Sequence, residues 1–346
     1  MNSQFVDRLH ESIDAASNRV YIQVMTFDGD EAGLGVAERL ITAVERGVDV
    51  QLTVDSFAFR YISDVRSTDP AIAEEVAATH AMFDRMEAAG VDVVYTNPFG
   101  RLLTWMFYRN HKKIYVFDDC AYIGGINISD HNFAWLDFNV GLDDQVMVDI
   151  LVDDFALTRR GERQELHGPI ITNRNIESTL DELIANAQES VVIASPYALD
   201  AVLVDQLAAS PAKRKVVVAP RESNFGLFRL TDPYLRERSR LSGIELRSFS
   251  EFFHAKFALI DGETMLVGSS NFGLHSFRVN QEIAVVVRDP HFVGHFIELL
   301  EQTESVDVQP SQARRVVGAI VSKALCVATP LFERLVVPYA PTITTR

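Results

Sequence analysis

Two short constellations in the chain carry the same side chains in the same order. The first is His111-Lys112-Lys113, then Asp118, then Gly124-Gly125-Ile126-Asn127. The second is His254-Ala255-Lys256, then Asp261, then Gly268-Ser269-Ser270-Asn271. A His-x-Lys-x4-Asp spacing arises by chance at about one position in ten thousand for ordinary residue usage. Two copies, each followed by a small-residue turn and an Asn, therefore signal an internal duplication. One residue fewer separates Asp118 from Gly124 than separates Asp261 from Gly268.

Each copy offers an imidazole, an ammonium and an amide, and two such sets suit a phosphodiester. The anion must be neutralised before attack. Lys113 and Lys256, with the NH2 groups of Asn127 and Asn271, can hold the non-bridging oxygens and the charge that spreads over them in the transition state. One histidine must be neutral to attack phosphorus, and the other protonated to supply a proton to the leaving alkoxide. Histidine is the side chain that takes both states near neutral pH without large tuning. This chemistry calls for no metal and no cofactor. The residues themselves are symmetric and do not say which histidine attacks.

The elements that must position these groups follow from period. If a strand begins at each histidine, alternation sends His111 with Lys113, and His254 with Lys256, to one face. Asn127 and Asn271 return to that face after a turn. Asp118 and Asp261 lie an odd number of residues beyond their histidines. They should point away from the phosphate and act as positioning residues at the strand end.

The wording around the motifs, Tyr108-Arg109-Asn110-His111-Lys112-Lys113-Ile114 and Phe253-His254-Ala255-Lys256, resembles the phospholipase D superfamily, and within it the bacterial cardiolipin synthase branch. The resemblance covers roughly residues 1 to 305. It implies an α/β fold of two pseudo-twofold-related phospholipase D-like domains, each a mostly parallel or mixed β-sheet flanked by helices. It also implies that the motif residues His111, Lys113, Asp118, His254, Lys256 and Asp261 form the catalytic set. His111 would be the nucleophile carrying the phosphatidyl group, and His254 the acid and then the base. Family members place a histidine-orienting carboxylate further along the chain, which points to Asp137 in Trp135-Leu136-Asp137 and to Glu282 in Asn280-Gln281-Glu282. The implied reaction is transfer of a phosphatidyl group to phosphatidylglycerol through a phosphohistidine. Alternatives are a phospholipase D that releases phosphatidic acid, another phosphodiesterase or nuclease, and a non-catalytic lipid-binding scaffold.

Apolar spacing supports a repeated α/β plan. Phe5, Leu9, Ile13 and Ala16 fall at helical intervals, followed by a strand over Val20 to Thr26, a helix to Arg46, a strand to Val54, a helix over 71–89 and a strand from Val91. The second half repeats this from Ile176 to Phe249. Strands alternating with helices predict a largely parallel sheet covered on both faces. The boundaries read from sequence are 1–167, 168–308 and a tail, 309–346. The first half carries an extra apolar and aromatic stretch, Pro98 to Arg109, containing Leu102, Leu103, Trp105, Met106 and Phe107. It suits either an acyl-chain wall or a loop covering the sheet.

In the tail, Arg314, Arg315, Lys323 and Arg334 face one acid, Glu333, and Val317, Ile320, Val321, Ala324, Leu325 and Ala328 recur at spacings of three and four. This predicts a basic amphipathic helix ended by Pro330, too short and too charged to span a bilayer, and able to lie on an anionic membrane surface or on the protein's own core. The net charge of −16 argues against nucleic acid as a partner. Cys120 and Cys326 imply no disulfide framework. The first residues show no basic, apolar leader pattern. These features predict a peripheral protein on the cytoplasmic face of the cell membrane acting on membrane phospholipids. Nothing in them fixes an oligomeric state.

Overall fold

The computed structural model describes residues 2–60, 70–221, 223, 226–307 and 309–344. The chain divides into two compact units, Met1–Gln164 together with Val336–Arg346, and Glu165–Leu335.

In the first unit, α1 (Asn2–Ala15) precedes β1 (Arg19–Val24), α2 (Glu31–Glu45), β2 (Asp49–Asp55), the single turn α3 (Phe57–Arg60), α4 (Pro70–Ala88) and β3 (Asp92–Thr96). The three strands are parallel, with Val20 opposite Val50 and Leu52 opposite Val93. After them come β4 (Ile114–Phe117), β5 (Cys120–Gly124), α5 (Asp130–Ala134), β6 (Asn139–Leu142) and α6 (Gln145–Arg159). The sheet runs β3-β2-β1-β4-β5-β6, and a short strand, Ile343–Thr344, closes the edge beyond β3. The second unit contains β7 (Ile170–Thr172), α7 (Arg174–Asn186), β8 (Ser190–Ala194), α8 (Ala201–Ala209), β9 (Arg214–Val218), α9 (Gly226–Leu241), β10 (Glu245–Ser248), β11 (Phe257–Ile260), β12 (Thr264–Gly268), α10 (Leu274–Arg278), β13 (Ile283–Val287), α11 (Pro290–Glu301), β14 (Glu304–Ser305) and α12 (Gln312–Leu335). Its sheet runs β14-β10-β9-β8-β11-β12-β13-β7.

Both sheets are mixed, not largely parallel. The parallel half comes from the strand–helix–strand units, as expected. The other half is antiparallel because each motif strand turns back at once. A two-residue connection, Asp118-Asp119, joins β4 to β5, and a three-residue one, Asp261-Gly262-Glu263, joins β11 to β12. Connections this short reach only an antiparallel neighbour. The one-residue difference between the motifs is therefore absorbed in the hairpin turn. β5 and β12 are equally long, and Asn127 and Asn271 stand at the same offset beyond them.

Apolar burial occurs on both faces. Phe5, Leu9 and Ile13 of α1 pack with Val36 and Leu40 of α2, Phe83 of α4 and Val20, Ile22 and Val24 of β1. Each such side chain contributes about 1.5–3 kcal/mol on burial. α6 covers the opposite face, where Phe155 stacks on Tyr21 at 5.2 Å. In the second unit, Ile176 and Leu180 of α7, Leu203 and Leu207 of α8 and Val191 and Ile193 of β8 form the equivalent core. Phe257 meets Phe296 of α11 on the other face, at 5.2 Å.

The tail differs from its sequence reading in two ways. α12 runs through Pro330 to Leu335 although a proline there removes the N–H that would bond the Cys326 carbonyl. With Val337–Tyr339 it is long and apolar enough to cross a membrane by length and composition, since Lys323 is the one charge between Arg315 and Glu333. Its apolar stripe faces outward. The helix docks instead through Gly318, Ser322 and Thr329. A Cβ at Gly318 would come within 2.6 Å of the Tyr234 Cβ on α9. Arg315 pairs with Glu237 at 2.9 Å, and Glu333 pairs with Arg174.

Asp118 and Asp261 occupy matching places. Asp118 accepts the backbone N–H groups of Ser17, Asn18 and Arg19, each at 2.9 Å. Asp261 accepts those of Gln188, Glu189 and Ser190 at 2.8–3.1 Å. Each carboxylate thereby fastens the motif hairpin to the start of the neighbouring strand. Burial raises both pKa values slightly, but the backbone donors outweigh it and hold both below the usual carboxylate range. The stability they supply is present above the ordinary Asp pKa and lost as pH falls through the lowered folded values. Asp118→Ala and Asp261→Ala should each cost on the order of 1–2 kcal/mol at pH 7. The deficit should shrink as pH falls below about 4, which urea melts over a pH series will check.

Candidate active site

The hydrogen-bonded ladder begins one residue after each motif lysine, because β1 and β8 end there, Gln23 pairing with Ile114 and Ala194 with Phe257. His111 to Lys113 and His254 to Lys256 run past the ladder's end. Alternation still governs them. Tyr115 and Phe117 belong to the core under α1 and α2, whereas Ile114 and Val116 do not. His111 and Lys113 share the parity of Tyr115. Likewise His254 and Lys256 share the parity of Ala258 and Ile260, which lie in the core under α7 and α8. In the second unit the Lys256 ammonium does stand beside the His254 ring.

The lysines are held tightly. Lys113 is fully buried and its ammonium donates to the His111 carbonyl at 2.8 Å. Lys256, 1% exposed, donates to the His254 carbonyl and stands 2.6 Å from His254 Nδ1. His111 and His254 are buried, 8% and 7% exposed.

Neighbours of His111 that the motif does not name fix its segment. Arg109 pairs with Asp55 at the carboxyl end of β2, at 2.8 Å, and stacks on Phe99. Asp55 also accepts the Asn110 N–H at 2.6 Å and the Phe57 N–H at 2.8 Å. Complete burial pushes its carboxyl up to about 6, against the pull of Arg109 and these donors. The Asn110 side chain accepts from Gln23 at 3.1 Å. Lys112, on the opposite parity, reaches α6 and meets both Asp154 oxygens at 2.7 Å with both groups buried. The second unit does the same with an apolar Ala255, 2% exposed. Sequence reading passed over Asp55 and Asp154. The available signal for Asp55 was its place at the end of a parallel strand, where α/β sheets gather their functional groups.

The two units differ at the turn that carries Asn. Asn127 Oδ1 accepts the N–H groups of Met25 and Thr26 at 3.2 and 3.3 Å, which leaves the NH2 as its outward end. Asn271 is held through its backbone, by Ser276 Oγ at 3.2 Å and Ser195 Oγ at 2.9 Å. Glu282, fully buried, accepts from Ser269 Oγ at 2.5 Å and Ser276 Oγ at 3.0 Å. In the first unit, Gly125 replaces Ser269. A Cβ there would lie 2.4 Å from both oxygens of Asp137, which is 2% exposed. The shorter acid therefore packs where the serine would stand, and its charge adds to burial in holding the Tyr115 phenol well above its usual pKa.

The aromatic insert folds as a compact turn on the first unit. Trp105 packs its ring onto Gly100, Arg109 donates to the Trp105 carbonyl at 2.8 Å, and Phe99 and Tyr108 are buried. Phe107 remains 47% exposed. The stretch is mainly a cover for the sheet, with one aromatic face outward. The side chain of Leu102 lies outside the described residues.

The profile of the family described as "Cardiolipin synthase, PLD-like domain" matches residues 9–157 and 180–303, well over half of the chain and once in each unit. The chain belongs to that family. Similar relatives within this phospholipase D-like family include the probable cardiolipin synthase YwiE of Bacillus subtilis, 23% identical over 86% of this chain and 64% of its own length. Cardiolipin synthase A of Proteus mirabilis is 26% identical over 81% and 63%. Cardiolipin synthase B of Shigella flexneri is 25% identical over 84% and 75%. The chain thus spans a little under two thirds of the first two. Among solved structures, the phosphatidylserine synthase of Haemophilus influenzae superposes with a TM-score of 0.67 at 15% identity, covering 97% of this chain and 93% of that one. A polyphosphate kinase from Porphyromonas gingivalis reaches 0.60 at 13% identity, covering 95% and 54%. Both likenesses concern the α/β fold alone.

The Lys112–Asp154 pair offers a test of how the first motif is held. Lys112→Ala leaves a buried, unpaired carboxylate and should cost about 3–5 kcal/mol. The double variant Lys112→Ala/Asp154→Leu should recover most of that loss, approaching the apolar arrangement around Ala255. Denaturant midpoints of the single and double variants measure the difference.

Proposed function

We propose that this chain is a phosphatidyltransferase of the cardiolipin synthase type, with a phosphohistidine intermediate. The observation that carries the reading is the pair of His-x-Lys sets, one in each unit at the end of a strand ladder, in a member of the cardiolipin synthase family. The reaction in this reading needs the groups of both sets. Lys113, Lys256 and the NH2 groups of Asn127 and Asn271 neutralise the non-bridging oxygens of the phosphodiester. A neutral His111 nitrogen attacks phosphorus and forms the N–P bond. The alcohol's P–O bond breaks, and His254 gives its proton to the departing oxygen. The acceptor hydroxyl then returns a proton to His254, its oxygen attacks phosphorus, and the N–P bond breaks. Asp137 and Glu282 fix the tautomer and orientation of the imidazoles. Asp118 and Asp261 act at a distance by holding the hairpins.

The acceptor in this reading is the free hydroxyl of phosphatidylglycerol, which makes the product cardiolipin. Both substrates reside in a bilayer, and the protein works peripherally on the cytoplasmic face. The outward side of α12, with Val316, Val317, Ile320, Val327 and Leu331 exposed and Arg314 and Lys323 beside them, supplies apolar area and positive charge for an anionic surface.

Labelled phosphatidylglycerol in vesicles should yield cardiolipin with the purified protein. Phosphatidic acid as the main product would mean hydrolysis, and unchanged lipid would remove the assignment. His254→Ala should accumulate label on His111, detected as an acid-labile, base-stable phosphoprotein, while His111→Ala should show neither label nor turnover.

Two substitutions probe finer points. Gly125→Ser puts the second unit's residue where Asp137 packs and should lower turnover on the order of tenfold with little change in lipid KM. Ile320→Ser/Leu331→Ser should weaken co-sedimentation with anionic vesicles yet spare slow turnover on detergent-dispersed lipid. Sedimentation equal to wild type across a salt series would remove α12 as the membrane contact.

A further inference from the structure

Where β1 leaves the sheet, the first unit gathers groups that the phosphodiester chemistry does not use. The Phe27 backbone bridges to Ile128, and the Asp28 N–H donates to the Ile128 carbonyl at 3.0 Å. This stitches the β1–α2 turn to the segment following Asn127. Next to the stitch, one ligand atom each from Asp28, Asp30 and His131 lie within 4.8 Å of one another.

Two of the neighbouring acids have structural duties. Asp30 caps α2 by accepting the Gly33 N–H at 2.9 Å and also takes the Asp130 N–H at 2.6 Å. Asp130 returns the favour by accepting the Ala32 N–H at 2.8 Å. Asp28 has no such duty. It is 4% exposed, and its Oδ1, itself buried, has no hydrogen-bond partner among the described residues. A buried carboxylate oxygen without a donor costs free energy unless something positive meets it. Burial, then Asp30, then Glu75 push its carboxyl up to about 7, the behaviour of an acid crowded by acids.

We propose that Asp28, Asp30 and His131 form a site for one divalent cation of borderline hardness, Mn2+ or Zn2+, which ties the β1–α2 turn to the Asn127 segment. Two carboxylates and one imidazole suit these ions better than Ca2+ or Mg2+, which favour all-oxygen shells. Ligand atoms at about 2.0–2.2 Å from a common ion stand roughly 3–4 Å apart, so the present spread closes with side-chain movements of under about 1 Å. Asp30 can cap and ligate at once, since a carboxylate has about four lone-pair sites. Glu75, half-buried on α4 and close enough to act on Asp28, is placed as a further ligand directly or through water. None of the site's ligands belongs to the His-x-Lys sets. It acts on the reaction by fixing the segment whose Asn127 amide is anchored to Met25 and Thr26. No spacing in the sequence announces it, because Asp28 and His131 lie about a hundred residues apart and meet through the Phe27–Ile128 bridge.

The test uses the full chain without lipid, so it stands apart from the transferase reading. Mn2+ is titrated into metal-stripped protein and free Mn2+ is followed by its EPR signal, with Zn2+ as competitor. The wild type should sequester one Mn2+ per chain, and an excess of about a hundredfold over Kd should raise its Tm by about 5 °C. Asp28→Asn and His131→Ala should both lose the sequestered ion and the shift. Asp28→Asn keeps the side-chain shape and relieves charge crowding, so its fold should hold. No sequestered Mn2+ in the wild type, or wild-type binding in either variant, overturns the site.

Discussion

A carboxylate at the closed end of each motif hairpin sets everything that follows. By gathering three successive backbone N–H groups, Asp118 and Asp261 lock the start of β1 or β8 against the turn of the hairpin. Register along the strand is then determined, and with it the face on which each side chain emerges. A slip of one residue would exchange the two faces. It would place Lys112 among the apolar side chains of α1 and α2 and turn His111 towards α6. An acid far from phosphorus therefore governs which groups can reach it.

On that shared frame the two halves solve one problem with different materials. The second holds its acid with hydroxyls, Ser269 and Ser276 on Glu282. The first removes a side chain, and Gly125 lets the shorter Asp137 approach the backbone. The first half also adds a buried electrostatic layer, Asp55 with Arg109 and Lys112 with Asp154, where the second uses Ala255 and a contact between Phe249 and Phe253 at 5.1 Å. Buried ion pairs stabilise little over apolar packing but are strict about geometry.

Much of this was legible in the chain because it follows from local period. The paired motifs and the helical spacing of Phe5, Leu9 and Ile13 rest on intervals of two or of three to four residues. What stayed hidden depends on distant partners. Asp154 lies in α6, Asp55 at the end of β2, and neither carries a mark of its role until the sheet brings it to the motif. The antiparallel half of each sheet hides behind very short turns. In the tail, Pro330 suggested a stop that the helix runs through, and apolar spacing left open which side would dock. Gly318 decides the docking side by allowing a closer approach to α9 than any apolar side chain could.

The chain leaves the first unit after Gln164 and returns to it only after Leu335. Its returning residues supply the strand Ile343–Thr344 against β3, reinforced by the Asn97 N–H on the Thr342 carbonyl at 3.1 Å and by Thr342 Oγ1 on the Gly161 carbonyl at 2.6 Å. On a ribosome, the first unit is synthesised long before this strand emerges. Through the whole synthesis of the second unit, the β3 edge stands with unpaired backbone groups, the kind of edge that invites wrong pairing with another chain. The order of residues thus builds a waiting period into the birth of the protein, and its first half reaches its final form last.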